Sequence, residues 1–405
     1  MTLSTAKKVS NSALAPYADL LCDWLATQED EMIQCLQELV DTDSNSYDKD
    51  GVDAAGKLMA SWLEADGIEC RWHKSASSGD VLEARIASGF DKKDAQPAIY
   101  LMGHRDTVFP KGTTATRGFT RDGMTAFGPG VADMKSGLVL NCFVLRGLQY
   151  LLNNSDLTEL PHPVVGLFTG DEEIGSPEGR HVIQQMVKGA KAVFNAEPGR
   201  ISGNVVSARK GGASFEILVK GKAAHSGVNH ADGASAIGGL ALIITELHAL
   251  TNYETGVTTN VGLISGGMSS NTVASDATAK LDLRYITKEQ MVDAIDAIQA
   301  IVDTPRLNGV TASVRLISAF HPFESSMSDV LLAHYQKQAE SLGFTVEGEF
   351  TGGCSDAGFT SSMGVPTLCG TGPVGAKMHT DGELCLLDTF VPRTQAVAKS
   401  VLLLP

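Results

Sequence analysis

Cysteine is scarce in this 405-residue chain: there are seven, an odd number, and no two have CxxC spacing. A disulfide scaffold and a zinc site built from thiolates are therefore not indicated, and a reducing compartment is favoured. Long apolar runs are also missing, because no stretch approaches the roughly 20 apolar residues that cross a bilayer. We therefore expect a cytoplasmic protein without a membrane partner.

Basic residues are too few to balance the acidic ones: 32 Lys and Arg stand against 47 Asp and Glu, for a formal net charge of −15. Nucleic acids and anionic membranes bind basic surfaces, so both are disfavoured as partners. Hydrophobic residues make up 43% of the chain and charged residues 20%, as in folded globular proteins. A chain of this length is longer than a single hydrophobic core usually supports, so we expect two domains.

Helix and strand patterns alternate through the first half of the chain, which predicts an α/β domain with a mixed, largely parallel sheet. From about residue 208 the predicted order is β-α-β-β-α-β, the order of a ferredoxin-like α+β sandwich. The α/β pattern then returns. We therefore expect a discontinuous main domain, residues 1–207 and 318–405, with a smaller domain, residues 208–317, inserted in it.

A short apolar run, Ala98 to Met102, leads into Gly-His104-Arg-Asp106. Residues two apart on a strand face the same side, so we expect His104 and Asp106 to point the same way. A neutral imidazole can bind a metal while a neighbouring carboxylate orients its ring. Taken alone, a buried structural histidine explains this pair equally well.

More acidic and histidine residues follow predicted strands or turns: Asp133 after Gly128-Pro-Gly130, the run Asp171-Glu172-Glu173, Glu197 and His379. Ligand sites in open α/β sheets lie at the carboxyl ends of strands. Together these side chains suit Zn²⁺, and their carboxylates exceed the needs of one tetrahedral ion, which favours two bridged metals. Neighbouring acids can also divide roles, one as ligand and the next as general base. Singly, a helix cap at Asp133 and a surface acidic cluster remain alternatives.

Five motifs occur in a fixed order: Gly-His104-Arg-Asp106-Thr, Gly-Pro-Gly-Val-Ala-Asp133-Met-Lys, Thr-Gly-Asp-Glu172-Glu173-Ile-Gly-Ser, Asn-Ala-Glu197-Pro and His379-Thr-Asp-Gly-Glu. As a set they resemble the M20 metallopeptidases, and within these most closely the glutamate carboxypeptidase group. The resemblance extends over nearly the whole chain.

The resemblance implies two Zn²⁺ ions per subunit, with Co²⁺ or Mn²⁺ as substitutes. Asp133 would bridge the two ions. His104 and Glu197 would complete one site, and Glu173 and His379 would complete the other.

The resemblance also implies a reaction, the hydrolysis of an amide bond. Glu172 would be the general base that activates a metal-bridging water, and Asp106 would orient His104. The implied substrate is a small molecule or short peptide with a free C-terminal carboxylate, cleaved at the amide to its last amino acid.

The inserted domain resembles the lid of the family, which usually carries the interface of a homodimer. His225, in Ala-Ala-His-Ser-Gly, matches a lid histidine that helps to hold the transition-state oxyanion, in some members from the partner subunit. Asn271 and Arg284 match positions that hold the terminal carboxylate of the substrate, for which the planar fork of Arg is suited. Gly353 lies in Gly352-Gly353-Cys354-Ser-Asp356, which resembles the glycine-rich loop that closes the substrate pocket in the family. The alternatives are a merely polar lid residue at His225, a turn at Asn271 and a surface ion pair at Arg284.

The chain departs from the pattern of the group that it resembles at three places beside these motifs. Arg105 and Met134 stand where that group carries Met and Asp, and Cys354 replaces a glycine. No ligand is lost, so the departures bear on the substrate. An N-acyl-amino-acid deacylase or a dipeptidase of the same family therefore stays open. A non-catalytic binding module on this fold is disfavoured because every ligand and the general base are present.

Overall fold

The structure is a computed structural model that describes residues 11–86 and 97–405. The chain forms two compact units. The larger unit comprises the described part of Met1–Ala208 together with Ser325–Phe350 and Phe359–Pro405. The smaller unit comprises Arg209–Glu324 and Thr351–Gly358.

Helices and strands are numbered in chain order within the described residues. The helices are α1 Asn11–Ala26, α2 Glu29–Val40, α3 Lys49–Ala65, α4 Ser136–Asn154, α5 Gly179–Met186, α6 Ala236–Ala249, α7 Lys288–Asp303, α8 Asp329–Ser341, α9 Ala357–Ser362 and α10 Phe390–Leu402. The strands are β1 Glu69–His73, β2 Val81–Arg85, β3 Ile99–His104, β4 Thr120–Asp122, β5 Thr125–Phe127, β6 Val164–Thr169, β7 Ala192–Asn195, β8 Val205–Arg209, β9 Gly211–Lys220, β10 Thr258–Gly266, β11 Asp276–Tyr285, β12 Thr311–Phe320, β13 Gly348–Thr351, β14 Thr367–Cys369, β15 Gly375–Ala376 and β16 Leu384–Leu386. No helix in the described ranges is long and apolar enough to cross a membrane.

The larger unit is built on an eight-stranded sheet of order β1-β2-β6-β3-β7-β14-β8-β13. Its centre is parallel, from β6 through β3 and β7 to β14, and β1, β2 and β8 pair antiparallel around it. Every residue of β3 and β6 is buried, as expected for strands covered on both faces. The predicted α/β fold with a mixed, largely parallel sheet is confirmed.

The smaller unit has one antiparallel sheet of order β10-β11-β9-β12 with helices α6 and α7 against it. Its chain order, β9-α6-β10-β11-α7-β12, is the predicted β-α-β-β-α-β order. A capping box opens α7, because the hydroxyl of Thr287 accepts from the N–H of Gln290 and the Gln290 side chain accepts from the N–H of Thr287. Helix α6 begins at Ala236, because the hydroxyl of Ser235 accepts the main-chain N–H of Gly238 and caps the helix.

Residues 318–324 and the segment Thr351–Gly358 belong to the smaller unit, although the sequence analysis places both in the main domain. The reason is a set of contacts from Arg209 and Lys210. The Arg209 guanidinium donates to the main-chain carbonyls of Gly353 and Cys354, at 3.2 and 3.3 Å. The main-chain N–H of Lys210 donates to the carbonyl of Thr351. The glycine-rich loop is therefore tied to the start of β9.

A second, small sheet in the larger unit has the order β15-β16-β5-β4. Phe127 at the end of β5 pairs with Leu384 at the start of β16. This pairing brings the turn after Phe127 next to the segment before Leu384, and each of them carries a predicted metal ligand.

Candidate metal centre

Three neighbouring parallel strands end at the same edge of the large sheet. Strand β3 lies between β6 and β7, and His104, its last residue, pairs with Thr169 at the end of β6. The chain beyond β6 carries Glu172 and Glu173, and the chain beyond β7 carries Glu197. Because parallel strands have their carboxyl ends on one side, these four side chains meet at one edge of the sheet.

The remaining two predicted ligands come from turns beside the small sheet. Asp133 follows the turn at Gly130, which has φ +72°, and the Asp133–Met134 peptide bond is cis. His379 has φ +63°, a left-handed conformation that histidine rarely adopts. Non-glycine residues at positive φ, such as His379, cluster at functional sites, where the surrounding structure holds them in place.

The Asp133 carboxylate lies between the two histidines and presents one oxygen to each. Its Oδ1 is 3.2 Å from Nε2 of His104, and its Oδ2 is 3.3 Å from Nε2 of His379. Glu173 Oε2 lies 3.1 Å from Nε2 of His379, and Glu197 Oε1 lies 3.8 Å from Nε2 of His104. The donors thus form two sets that share Asp133.

The spacing of these donors suits metal ions. Ligands about 2.0–2.1 Å from a tetrahedral zinc lie roughly 3.3 Å from one another, close to the separations around Asp133. Donor atoms of His104, Asp133 and Glu173 lie within 4.8 Å of one another. In addition, Glu173 Oε1 is buried and accepts no hydrogen bond from any described residue. A buried carboxylate oxygen without a donor is costly unless a cation binds it.

The electrostatics of the cluster also favour cations. Burial opposes ionisation of Asp133, but its contacts with His104 and His379 outweigh burial and lower the pKa of Asp133. Burial raises the pKa of Glu173 to about 7. Asp133 and Glu173 together raise the pKa of His379 to about 10. So many carboxylates in one buried place repel one another unless positive charge enters.

Asp106 has a wider role than the orientation of His104 that the sequence predicts. Strand β3 ends at His104, and the main-chain carbonyl of Asp106 accepts from Nδ1 of His104 at 3.0 Å, nearer than the Asp106 carboxylate at 3.4 Å. This contact places the ring proton on Nδ1 and leaves the lone pair of Nε2 toward Asp133. The carboxylate accepts the main-chain N–H groups of Glu172 and Glu173, both at 3.1 Å, and the Ser46 hydroxyl at 2.7 Å.

Arg105 points away from this cluster and is fully buried. Its guanidinium donates to the main-chain carbonyls of Val52, Asp80 and Thr169, and Gly56 leaves the room that it occupies. Arg105 thus joins helix α3 to the ends of β3 and β6. Neither Ser46 nor this use of Arg105 has a signal in the sequence, because both depend on contacts between residues 25 to 64 positions apart.

The other predicted site residues lie in the smaller unit, in two groups. His225 and Asn271 are neighbours, because the N–H of Ser226 donates to the carbonyl of Asn271 and His225 pairs with Thr272 in an isolated bridge. Nδ1 of His225 accepts the main-chain N–H of Gly227 at 3.1 Å. The proton of a neutral His225 therefore sits on Nε2, as a donor for a ligand.

Arg284 and Gly353 form the second group. Nε and Nη2 of Arg284 donate to the carboxylate of Asp282 at 2.8 and 2.9 Å, and Nη1 lies 3.0 Å from the thiol of Cys354, next to Gly353. The Arg284 fork is therefore held by a carboxylate on one edge. Its Nη1 end faces the glycine-rich loop.

A comparison with protein families matches residues 100–403 to the description "Peptidase family M20/M25/M40". The chain belongs to this family. The match covers about three quarters of the sequence and includes the five predicted ligands, so the expected M20 resemblance is confirmed and the protein is a hydrolase of the metallopeptidase type.

Individual relatives agree with the family assignment. The chain is 28% identical to carboxypeptidase G2 of Pseudomonas sp. (strain RS-16) over 98% of its own length and 94% of that protein. Among solved structures, it is similar to aminopeptidase PepT from Bacillus cereus, with TM-score 0.72 and 22% identity over 93% of this chain and 98% of the other. It is equally similar to the M20 metallo-carboxypeptidase Sso-CP2 from Sulfolobus solfataricus, with TM-score 0.72 and 17% identity over 92% and 99%. These structural likenesses show the fold.

Proposed function

We propose that the protein is a zinc-dependent hydrolase that cleaves the amide bond to a C-terminal amino acid. The observation that carries this proposal is the Asp133 carboxylate, which presents one oxygen to each of two histidines. One zinc ion would be held by His104, Asp133 and Glu197, and a second by Asp133, Glu173 and His379. The likeness to carboxypeptidase G2 along nearly the whole chain supports the carboxypeptidase reading.

The reaction divides between the metals and the chain. When bound, the zinc ions supply Lewis-acid polarisation of the scissile carbonyl. Glu172 takes a proton from the attacking water and returns it to the leaving amine, so that water and amide become a carboxylic acid and an amine. Glu172 is suited to this role because it is nearly buried, its Oε2 lies 4.0 Å from Nε2 of His104, and Asp106 fixes its main chain.

Neighbouring carboxylates provide a matched test of this division. Glu172→Gln keeps the shape of the side chain and removes the base, so turnover should fall by about 10²–10⁴-fold while zinc per chain stays at the wild-type value. Glu173→Gln should instead lower the zinc content. Turnover and elemental analysis on the same preparations measure both. A Glu172→Gln enzyme with near wild-type turnover would remove Glu172 from the base role.

Substrate choice separates the carboxypeptidase from its rivals within the family. Folyl- or benzoyl-glutamate tests the carboxypeptidase, N-acetyl amino acids test the deacylase, and dipeptides test the dipeptidase. The highest kcat/KM on a glutamate amide supports the proposal. A clear preference for N-acetyl amino acids or for dipeptides replaces it with the corresponding rival.

We also propose that the enzyme works as a homodimer through the smaller unit. Asn271 lies just before β11, with His225 paired beside it at Thr272. Arg284 lies near the other end of β11, eight strand positions after Asp276, or about 26 Å away. Residues 272–275 pair with residues 221–225 beyond the start of β11, so His225 and Asn271 lie even farther from Arg284 than Asp276 does. One small substrate cannot touch both groups in one copy, so the two groups can serve one substrate only from two copies.

The edge of the sheet in the smaller unit offers a surface for the second copy. Among the residues that the structure describes, strand β10 has a neighbouring strand on one side only, and its Leu263 and Ile264 are 64% and 69% exposed. An exposed apolar edge strand readily pairs with another chain. We therefore expect Ile264→Lys to shift the enzyme to monomers in light scattering. Ile317→Lys on the opposite edge strand, β12, is the matched control and should leave the dimer intact.

Mixed dimers test whether the two groups come from different copies. At a substrate concentration far below the raised KM of Arg284→Ala, the His225→Ala and Arg284→Ala homodimers should each show little activity. After mixing and subunit exchange, half of the dimers are hybrids, and each hybrid has one intact site, so activity should return to about a quarter of wild type. No recovery in proven hybrids would place both groups in one copy.

A cytoplasmic location, inferred from the cysteine usage, is also part of the proposal.

A further inference from the structure

Glu383 is a fully buried carboxylate that the mechanism above does not use. It lies four residues after His379, immediately before β16. Its carboxylate accepts hydrogen bonds from three main-chain N–H groups. Oε1 accepts those of Ala132 and Asp133, both at 2.9 Å, and Oε2 accepts that of Gly130 at 3.4 Å. Successive N–H groups that converge on one anion form a strong, directional site.

The turn that Glu383 holds is tightly packed on its other sides. A Cβ at Gly130 would stand 2.5 Å from Thr107 Cγ2, and a Cβ at Gly375 would stand 2.5 Å from the Cβ of Ala132. The ammonium of Lys135 is buried beside the same turn and donates to the carbonyl of Thr42 at 2.9 Å. The main chain of Asp133 therefore has little freedom while the Glu383 carboxylate is in place.

Glu383 also joins two segments that carry different ligands. Its own segment begins with His379, and the segment that it binds ends with Asp133. We infer that Glu383 is a positioning residue that sets Asp133 between His104 and His379 and thereby sets the affinity for zinc. This inference rests on the proposed zinc function. It assigns to Glu383 no contact with the metal or the substrate.

The alternative is that Glu383 only stabilises the fold, and the choice of control separates the two roles. Glu383→Gln keeps the length of the side chain and one carbonyl oxygen but removes the charge that the N–H groups share. Glu83→Gln is the matched control, because Glu83 is equally buried and pairs with His73 and Arg85 in the hairpin of β1 and β2. Both variants remove one buried carboxylate from the larger unit.

The experiment measures zinc affinity by competition with a chromophoric chelator, and urea unfolding of the metal-free proteins. Wild type should bind two zinc ions per chain. Glu383→Gln should bind at least one of them about 10- to 100-fold more weakly, as found when residues that orient ligands are changed. Glu83→Gln should keep the wild-type affinities even if its unfolding midpoint falls as far.

The outcomes are distinct. Failure of wild type to bind two zinc ions overturns the proposed function itself. If wild type binds two zinc ions and Glu383→Gln binds both with affinities within twofold of wild type, the inference alone is overturned. It is also overturned if Glu83→Gln loses as much zinc affinity as Glu383→Gln. If Glu383→Gln does not fold, Glu383→Asp, which withdraws the carboxylate by one methylene, takes its place. If neither variant folds, Glu383 is a structural residue and the inference is overturned.

Discussion

Substitution of Asp106 by Asn tests how the strand-end acids are held in place. The Asp106 carboxylate is fully buried, and its two oxygens accept the main-chain N–H groups of Glu172 and Glu173 separately. An amide has one accepting oxygen, and its NH₂ group must face the other N–H. The Ser46 hydroxyl can rotate to accept from that NH₂, but a main-chain N–H cannot.

The expected loss of stability follows from that single unpaired N–H. A hydrogen bond to a charged group contributes about 1.5–3 kcal/mol. The bonds that survive become weaker, but a neutral amide is also less costly to bury than a carboxylate, and we take these two effects to offset each other. The free energy of unfolding of the metal-free protein should therefore fall by about 1.5–3 kcal/mol.

Asp106→Asn should also lower the catalytic rate, because the side chains of Glu172 and Glu173 shift when their main chain shifts. A misplacement of about 1 Å can cost roughly 100-fold in rate, so kcat should fall at least tenfold. Urea unfolding and steady-state kinetics measure the two effects. Ser46→Ala is the graded control, since it removes one contact with Asp106 and keeps both N–H bonds. Wild-type stability and turnover in Asp106→Asn would refute this reading of the site.

Three further substitutions test other parts of the molecule. Arg284→Ala should mainly raise KM for substrates with a free carboxylate and change little for their esters; equal loss on both in steady-state kinetics contradicts the anchoring role. Arg105→Met should lower the free energy of unfolding by about 1–3 kcal/mol, because buried carbonyls lose their donor, and unchanged urea unfolding contradicts this. Asp80 is buried, but the Lys49 ammonium, 2.5 Å away, helps to lower its pKa to about 2. A lowered pKa stabilises the folded state above the unfolded pKa, so the advantage of wild type over Asp80→Asn should shrink as the pH falls from about 4 to about 2. A difference that stays constant over this range contradicts it.

The edge of the sheet where the ligands meet could be predicted because it follows from local pattern. Apolar runs mark β3, β6 and β7, and a parallel arrangement brings their carboxyl ends together whatever the details of packing. The acids after these strands therefore converge in the structure as the sequence suggests. The chemistry assigned to them, as ligands and base, stays a prediction until metal and turnover are measured.

The contacts that hold the site could not be predicted, because they depend on the exact ends of the helices and strands and on their positions in the fold. Asp106 lies two residues beyond the end of the strand on which the sequence analysis placed it, so its carbonyl, rather than its carboxylate, is the nearer partner of His104. Glu383 stands in a motif that the sequence singles out, yet its burial comes from the pairing of Phe127 with Leu384, more than 250 positions apart. The grouping of residues 351–358 with the smaller unit likewise depends on the reach of Arg209.

The length of β11 has a consequence for how the enzyme should be handled. If the two groups at its opposite ends serve one substrate from two copies, as proposed above, a separated subunit would present only one of these groups to each substrate. Specific activity should then decline on dilution below the concentration at which subunits separate, and recover on concentration without any lag from refolding.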